Sequence, residues 1–123
     1  MTQYAALIYE QGDPDWSTLD TPEKQQTMAE YGAFGATVAA VMRGGAALYP
    51  TTTATTVSVR GGKGGEVVTT DGPFAETKEV LTGFYLFECA DLDEAVSWAA
   101  QIPAAWTGRV EVRPVIDFGA LAG

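Results

Sequence analysis

The chain contains no histidine. That absence removes imidazole acid–base chemistry, Ser-His and Cys-His nucleophiles, and the commonest transition-metal ligand. Any catalysis would have to use carboxylates, tyrosine or lysine. Cysteine is nearly absent: Cys89 stands alone, which excludes an internal disulfide and fits a reducing compartment. It falls in the apolar run 84–90, where a small buried thiol is the ordinary reading. Basic residues are scarce, 7 against 16 acidic ones for a net charge of −9, so the clustered cations that neutralise nucleic-acid phosphates are missing. No apolar run approaches a membrane-spanning length, and the N-terminal MTQYAALIYEQ lacks the basic start and long apolar core of a signal peptide. The expectation is a cytoplasmic protein with no nucleic-acid and no membrane partner.

No metal and no cofactor are expected either. The glycine tract 61–65 leads into a strand, whereas a phosphate-cradling loop leads into a helix. Asp13 with Asp15 and Asp91 with Asp93 read as a loop and a helix cap, although carboxylate-only sites for Mg²⁺ or Ca²⁺ stay open.

At 123 residues, 46% hydrophobic, the chain suits one domain spanning 1–123 with a single core. Residues 4–9 are continuously apolar and read as a strand buried on both faces. Trp16 and Leu19 are expected to tie the following loop over the core. Thr21 and Pro22 mark a helix start, and Met28, Tyr31, Phe34, Val38 and Val41 give that helix one apolar face. Gly32 and Gly35 cost helix propensity, which close approach to the sheet would offset. Arg43 and Gly44-Gly45 read as its last turn and cap. A short strand at 46–49 follows, then a hairpin of two strands joined by the glycine tract. Residues 81–89 form an apolar strand. Asp91 and Glu94 box a second helix whose core face holds Leu92, Ala95, Val96, Ala99 and Ile102, with Trp98 at its edge. Pro103 ends that helix, residues 104–108 loop with Trp106, and 109–115 form the last strand.

Residues 70–79, TDGPFAETKE, concentrate the chemistry. Asp71-Gly72-Pro73 stops the preceding strand, because Asp accepts downstream amide bonds, Gly permits positive φ and Pro removes a donor. Phe74 can pin the loop into the core, with Glu76, Lys78 and Glu79 following closely. Such a segment suits the wall of a small polar pocket, and equally a structural corner. As a site, Asp71 would be the acid–base or anchoring carboxylate, Tyr31 a hydroxyl donor, Phe74 the anchor, and Glu76 and Lys78 orienting groups around a small-molecule ligand. Tyr31 lies on the apolar helix face and is equally a core residue. Lys78 with Glu76 or Glu79 is equally a surface ion pair.

The run DGPFAETKE, together with the LIYE first strand, GFYLFE, DLDEAVSWA and EVRPV, resembles the DGPF subgroup of the YCII-related family along nearly the whole chain. The resemblance implies a ferredoxin-like α+β fold that dimerises into an α/β barrel. It also implies a departure: active members of the wider superfamily carry a His-Asp pair, and Asp71 has no imidazole partner here. Relatives are often encoded beside sigma factors of the extracytoplasmic-function type, so a regulatory protein-interaction module stands as the alternative to a small-molecule site. Whether the protein is an enzyme stays open.

The order of elements agrees. Without the inserted β-hairpin it is βαββαβ, the ferredoxin-like unit, with both helices on one sheet face. The strands are apolar on both sides, so the second face needs cover, and a second copy in a C2 homodimer supplies it.

Overall fold

The computed structural model describes residues 1–15, 17 and 20–122. Elements follow in the order β1 (Thr2–Gln11), α1 (Pro22–Val38), β2 (Met42–Ala47), a single 3-10 turn (Thr51–Thr53), β3 (Thr55–Arg60), β4 (Glu66–Asp71), β5 (Glu79–Cys89), α2 (Leu92–Ala99), α3 (Ala104–Thr107), β6 (Arg109–Pro114) and α4 (Phe118–Ala122). Four strands form an antiparallel sheet in the order β2-β5-β1-β6, and β3 pairs with β4 in a separate two-stranded sheet. This α+β arrangement is compatible with a ferredoxin-like fold. Among the described residues, no helix is long and apolar enough to cross a membrane.

The helix starts follow local chemistry. Lys24 N–H donates to Thr21 Oγ1 at 3.3 Å, with Pro22 in the first turn where its missing N–H costs nothing. Glu94 N–H donates to Asp91 Oδ1 at 2.9 Å, and Glu94 Oε1 reaches back to Ala90 N–H at 3.2 Å. The first bond satisfies an amide that the helix leaves unpaired, and the second ties the residue before the cap to the first turn.

The core lies between the helices and one sheet face. Tyr4, Ala6 and Ile8 of β1 and Phe87 and Cys89 of β5 meet Phe34 and Val38 of α1, Ala95 and Ala99 of α2, Ile102 and Ala104. The alternate residues Ala5, Leu7, Tyr9, Phe84 and Leu86 point to the other face, where they stay half-buried in the single chain. Burial pushes the Cys89 thiol up to about 11, with the nearby Glu94 and Asp91 carboxylates adding to the effect, so it stays protonated at neutral pH.

Several expectations are corrected. Gly44-Gly45 is strand, not helix cap: the helix stops at Val38 and Val41 O accepts from Glu88 N–H at 2.8 Å, so the backbone has already joined the sheet. A Cβ on Gly45 would lie 2.7 Å from Phe84 O, so β2 packs too closely on β5 for a side chain there. The register shifts between Met42 and Gly44, and Arg43 pairs with Glu88 at 2.8 Å. Leu92 and Val96 are about half exposed, because α2 meets the core through Ala95, Ala99 and the partly buried Trp98 instead. Pro103 precedes a further short helix, α3, and α4 was not expected. Trp16 and Leu19 lie outside the described residues.

Gly32 and Gly35 do not face the sheet. A Cβ at either position would meet nothing within 4 Å. Gly32→Ala is therefore expected to stabilise the protein by about 0.5–1 kcal/mol, through helix propensity and a restricted unfolded chain. A urea melt checks this. A loss of stability would mean that another surface packs on this side of α1.

Candidate functional site

A cleft of about 810 Å³ opens between α1 and the β2 side of the sheet. Its size falls in the range of small-molecule sites. Ile8, Met28 and Met42 supply apolar walls, while the β2 wall is the short-chained run 44–47, GGAA, next to Gly83. The polar groups among the described lining residues are Glu10, Asp15, Lys24, Thr27, Tyr31, Thr82 and Tyr85.

Glu10, Tyr85, Lys24, Thr27 and Tyr31 are placed by simple periodicity. Glu10 continues the inward alternation of Tyr4, Ala6 and Ile8 past the end of the apolar run. Tyr85 stands two residues before Phe87 on the same face of β5. Lys24, Thr27, Met28 and Tyr31 recur at three- and four-residue steps along α1 and so share a helix face.

Glu10 and Tyr85 both act on Tyr31. Burial, reinforced by the Glu10 charge and then by Tyr85, pushes the Tyr31 hydroxyl from 10.0 up to about 12; a hydrogen bond with the Ala104 backbone works the other way. Burial also raises Tyr85. Both hydroxyls therefore keep their protons at neutral pH and can donate hydrogen bonds. At the mouth, the Ser17 hydroxyl, the Ser17 backbone N–H and Lys24 hold the exposed Asp15 carboxyl below its usual range. Lys24 Nζ lies 3.8 Å from Asp15 Oδ2.

The raised Tyr31 value has a sign for stability. The folded state holds the proton more tightly than the unfolded chain, so the contribution is complete below pH 10.0 and is lost as pH rises toward about 12. Tyr31→Phe is expected to flatten the fall of Tm across that window, leaving the part due to Tyr85. Melting curves over the alkaline range check it, and an unchanged slope would contradict the assignment.

The expected site residues separate. Tyr31 lines the cleft, with its ring packed against the core. Asp71, Phe74, Glu76 and Lys78 do not line it, so the signature turn is not a wall of this cleft. They lie together at and after the end of β4, all exposed. Phe74 is 90% exposed and pins nothing into the core of the single chain, the reverse of the expectation. The backbone holds the turn instead: Gly72 has φ +92, its N–H donates to Ala54 O at 2.7 Å, and Thr56 Oγ1 donates to its carbonyl at 2.8 Å. The Asp71 carboxylate takes part in no hydrogen bond or ion pair among the described residues. The far end of the signature is tied down where Gly12 N–H donates to Lys78 O at 3.2 Å and Thr77 Oγ1 bonds Glu79 O. Glu79 also pairs with Arg109 at 3.2 Å.

Among the described residues, no group of three or more Cys, Asp or Glu side chains converges to hold a metal ion.

An α+β fold with a lined cleft under its first helix defines a class of small domain rather than an activity. The YCII-related domain model matches residues 2–119, and the chain belongs to the YCII-related family. It is also similar to an uncharacterised protein of Rhizobium meliloti (strain 1021), with 51% identity over 72 residues, 57% of this chain and 56% of that one. The match thus covers little more than half the length of that relative.

Proposed function

We propose that this YCII-related protein, of the DGPF subgroup by its DGPFAETKE run, binds a small molecule in the cleft between α1 and the sheet. The observation that supports this reading is a roomy, mostly apolar cleft into which Glu10, Tyr31 and Tyr85 converge. In this reading Tyr31 is the ligand-facing hydroxyl expected from the sequence. Any chemistry there would run through carboxylate and phenol, without imidazole. The half-buried sheet face suits a C2 homodimer closing an α/β barrel. A single, buried thiol suits a cytoplasmic setting.

A thermal-shift screen against apolar and aromatic metabolites tests the cleft, since a bound ligand raises Tm by mass action. A shift in the wild type that disappears in Met28→Trp, which fills the cleft from α1, supports the reading. A shift of equal size in Met28→Trp, or none with any compound, overturns it.

A second reading, protein contact, is favoured by one observation. Val57, Val59 and Val67 share a face of the β3–β4 pair and are exposed, as is Phe74 at its base. An isolated two-stranded sheet is marginal in water, so a partner would stabilise it. In that case Phe74, Glu76 and Lys78 would meet a protein, a regulator of sigma-factor type by family resemblance, and Asp71 would anchor it. Asp71→Asn removes a charge but no hydrogen bond, so its stability should stay within about 0.5 kcal/mol of wild type. A changed cleft ligand shift in Asp71→Asn would return Asp71 to the ligand site.

A further inference from the structure

We infer that the cleft selects a flat aromatic molecule carrying a protonated amine, the ring against the glycine–alanine wall and the ammonium on Glu10. This inference rests on the reading of the cleft as a ligand site. Its first support is the shape of the β2 wall. Residues 44–47 present nothing longer than a methyl group, and Gly83 continues that surface. A wall of peptide planes and methyl groups leaves room for a planar ring. The Tyr31 and Tyr85 side chains also line the cleft, and aromatic faces attract both rings and cations.

The second support is charge. Glu10 is half-buried, lines an apolar cleft, and has no hydrogen bond or ion pair to its carboxylate among the described residues. A carboxylate partly withdrawn from water by apolar walls gains from a cation within reach, because a charge-assisted hydrogen bond replaces lost hydration. The cleft's other charges, Lys24 and Asp15, lie 3.8 Å apart and offset each other at the mouth. Among the described lining residues that leaves one carboxylate inside, in a chain of net charge −9 whose field favours cations over anions. A cationic or strongly N–H-donating group supplies what Glu10 lacks, and a carboxylate ligand would be repelled.

Three indoles that differ in one group test this by calorimetric titration: tryptamine, tryptophol and indole-3-propionate. The wild type is expected to bind tryptamine at least about tenfold more tightly than tryptophol, the scale of one charge-assisted hydrogen bond, and indole-3-propionate least. Glu10→Gln, which keeps shape, should bring tryptamine down to the affinity of tryptophol and leave tryptophol unchanged. Met28→Trp should weaken both. Equal or tighter binding of tryptophol or indole-3-propionate, lost in Met28→Trp, overturns the amine preference and leaves the cleft as the ligand site. A tryptamine preference that survives Glu10→Gln overturns it as well. If none of the three binds, the amine inference fails. The site itself fails with it only where the metabolite screen also gives no shift that depends on the cleft.

Discussion

Phe87→Ala is expected to cost about 3–5 kcal/mol of folding stability, the range for deleting a buried aromatic ring. Phe87 is 1% exposed, on β5, which has strands paired on both sides. Its ring stacks on Tyr85 at 5.8 Å and 11°, and Phe34 of α1 meets both rings edge-on, at 6.2 Å from Phe87 and 5.2 Å from Tyr85. Removing the Phe87 ring takes away apolar burial and also opens a cavity that neighbours held by two paired strands and a helix cannot close. Domains of this size are stable by only about 5–15 kcal/mol, so the loss is a large fraction of the total. Tm should fall by something on the order of 10–20 °C. Tyr85 also lines the cleft, so the same change should loosen that wall and weaken any cleft ligand. A denaturant melt with an unchanged midpoint would show that this aromatic trio does not hold α1 to the sheet.

The parts of this fold legible in the sequence are those set by neighbours in the chain. The Thr21-Pro22 start, the Asp91-Glu94 box and the two-sided apolar strands each follow from side chains within a few residues of one another. Gly44-Gly45 shows where such reasoning fails. After an apolar helical stripe a Gly-Gly pair reads locally as a cap, but the reason for glycine at 45 is the Phe84 carbonyl, distant in sequence and reached only through sheet pairing. Leu92 and Val96 fail for a similar cause. Periodicity shows which residues share a face of α2, and it does not show that Ala95, Ala99 and Trp98 meet the core while Leu92 and Val96 stay half exposed.

The candidate site divides along the same line. Tyr31 was legible because it interrupts an apolar stripe with a hydroxyl. Glu10 and Tyr85 were in phase with the core-facing alternation of their strands, and that phase was the signal that could have found them. The signature turn drew attention by its density of polar groups. Its chemistry in the single chain is that of an exposed turn held by Gly72 and Thr56.

Leu86→Asp measures whether the second sheet face is covered. Leu86 is half-buried in the single chain, on the face it shares with Ala5, Leu7, Tyr9 and Phe84. On an open face, an aspartate there keeps part of its hydration shell, and the substitution costs little more than the lost leucine contacts, about 1 kcal/mol. Under a second copy, the same carboxylate is stripped of water in the interface, and the cost rises to several kcal/mol. By two-fold symmetry each dimer takes that penalty twice, once from each protomer. The wild type is expected to sediment at twice its 13.0 kDa at micromolar concentration. Leu86→Asp is expected to sediment as a monomer or fail to express in soluble form. Leu86→Ala separates the two causes, because it trims the same contacts without adding charge and should weaken the dimer while leaving a folded protein. A wild type that is cleanly monomeric, or a Leu86→Asp variant that loses no more stability than Leu86→Ala, would mean that water and not a second copy lies against this face.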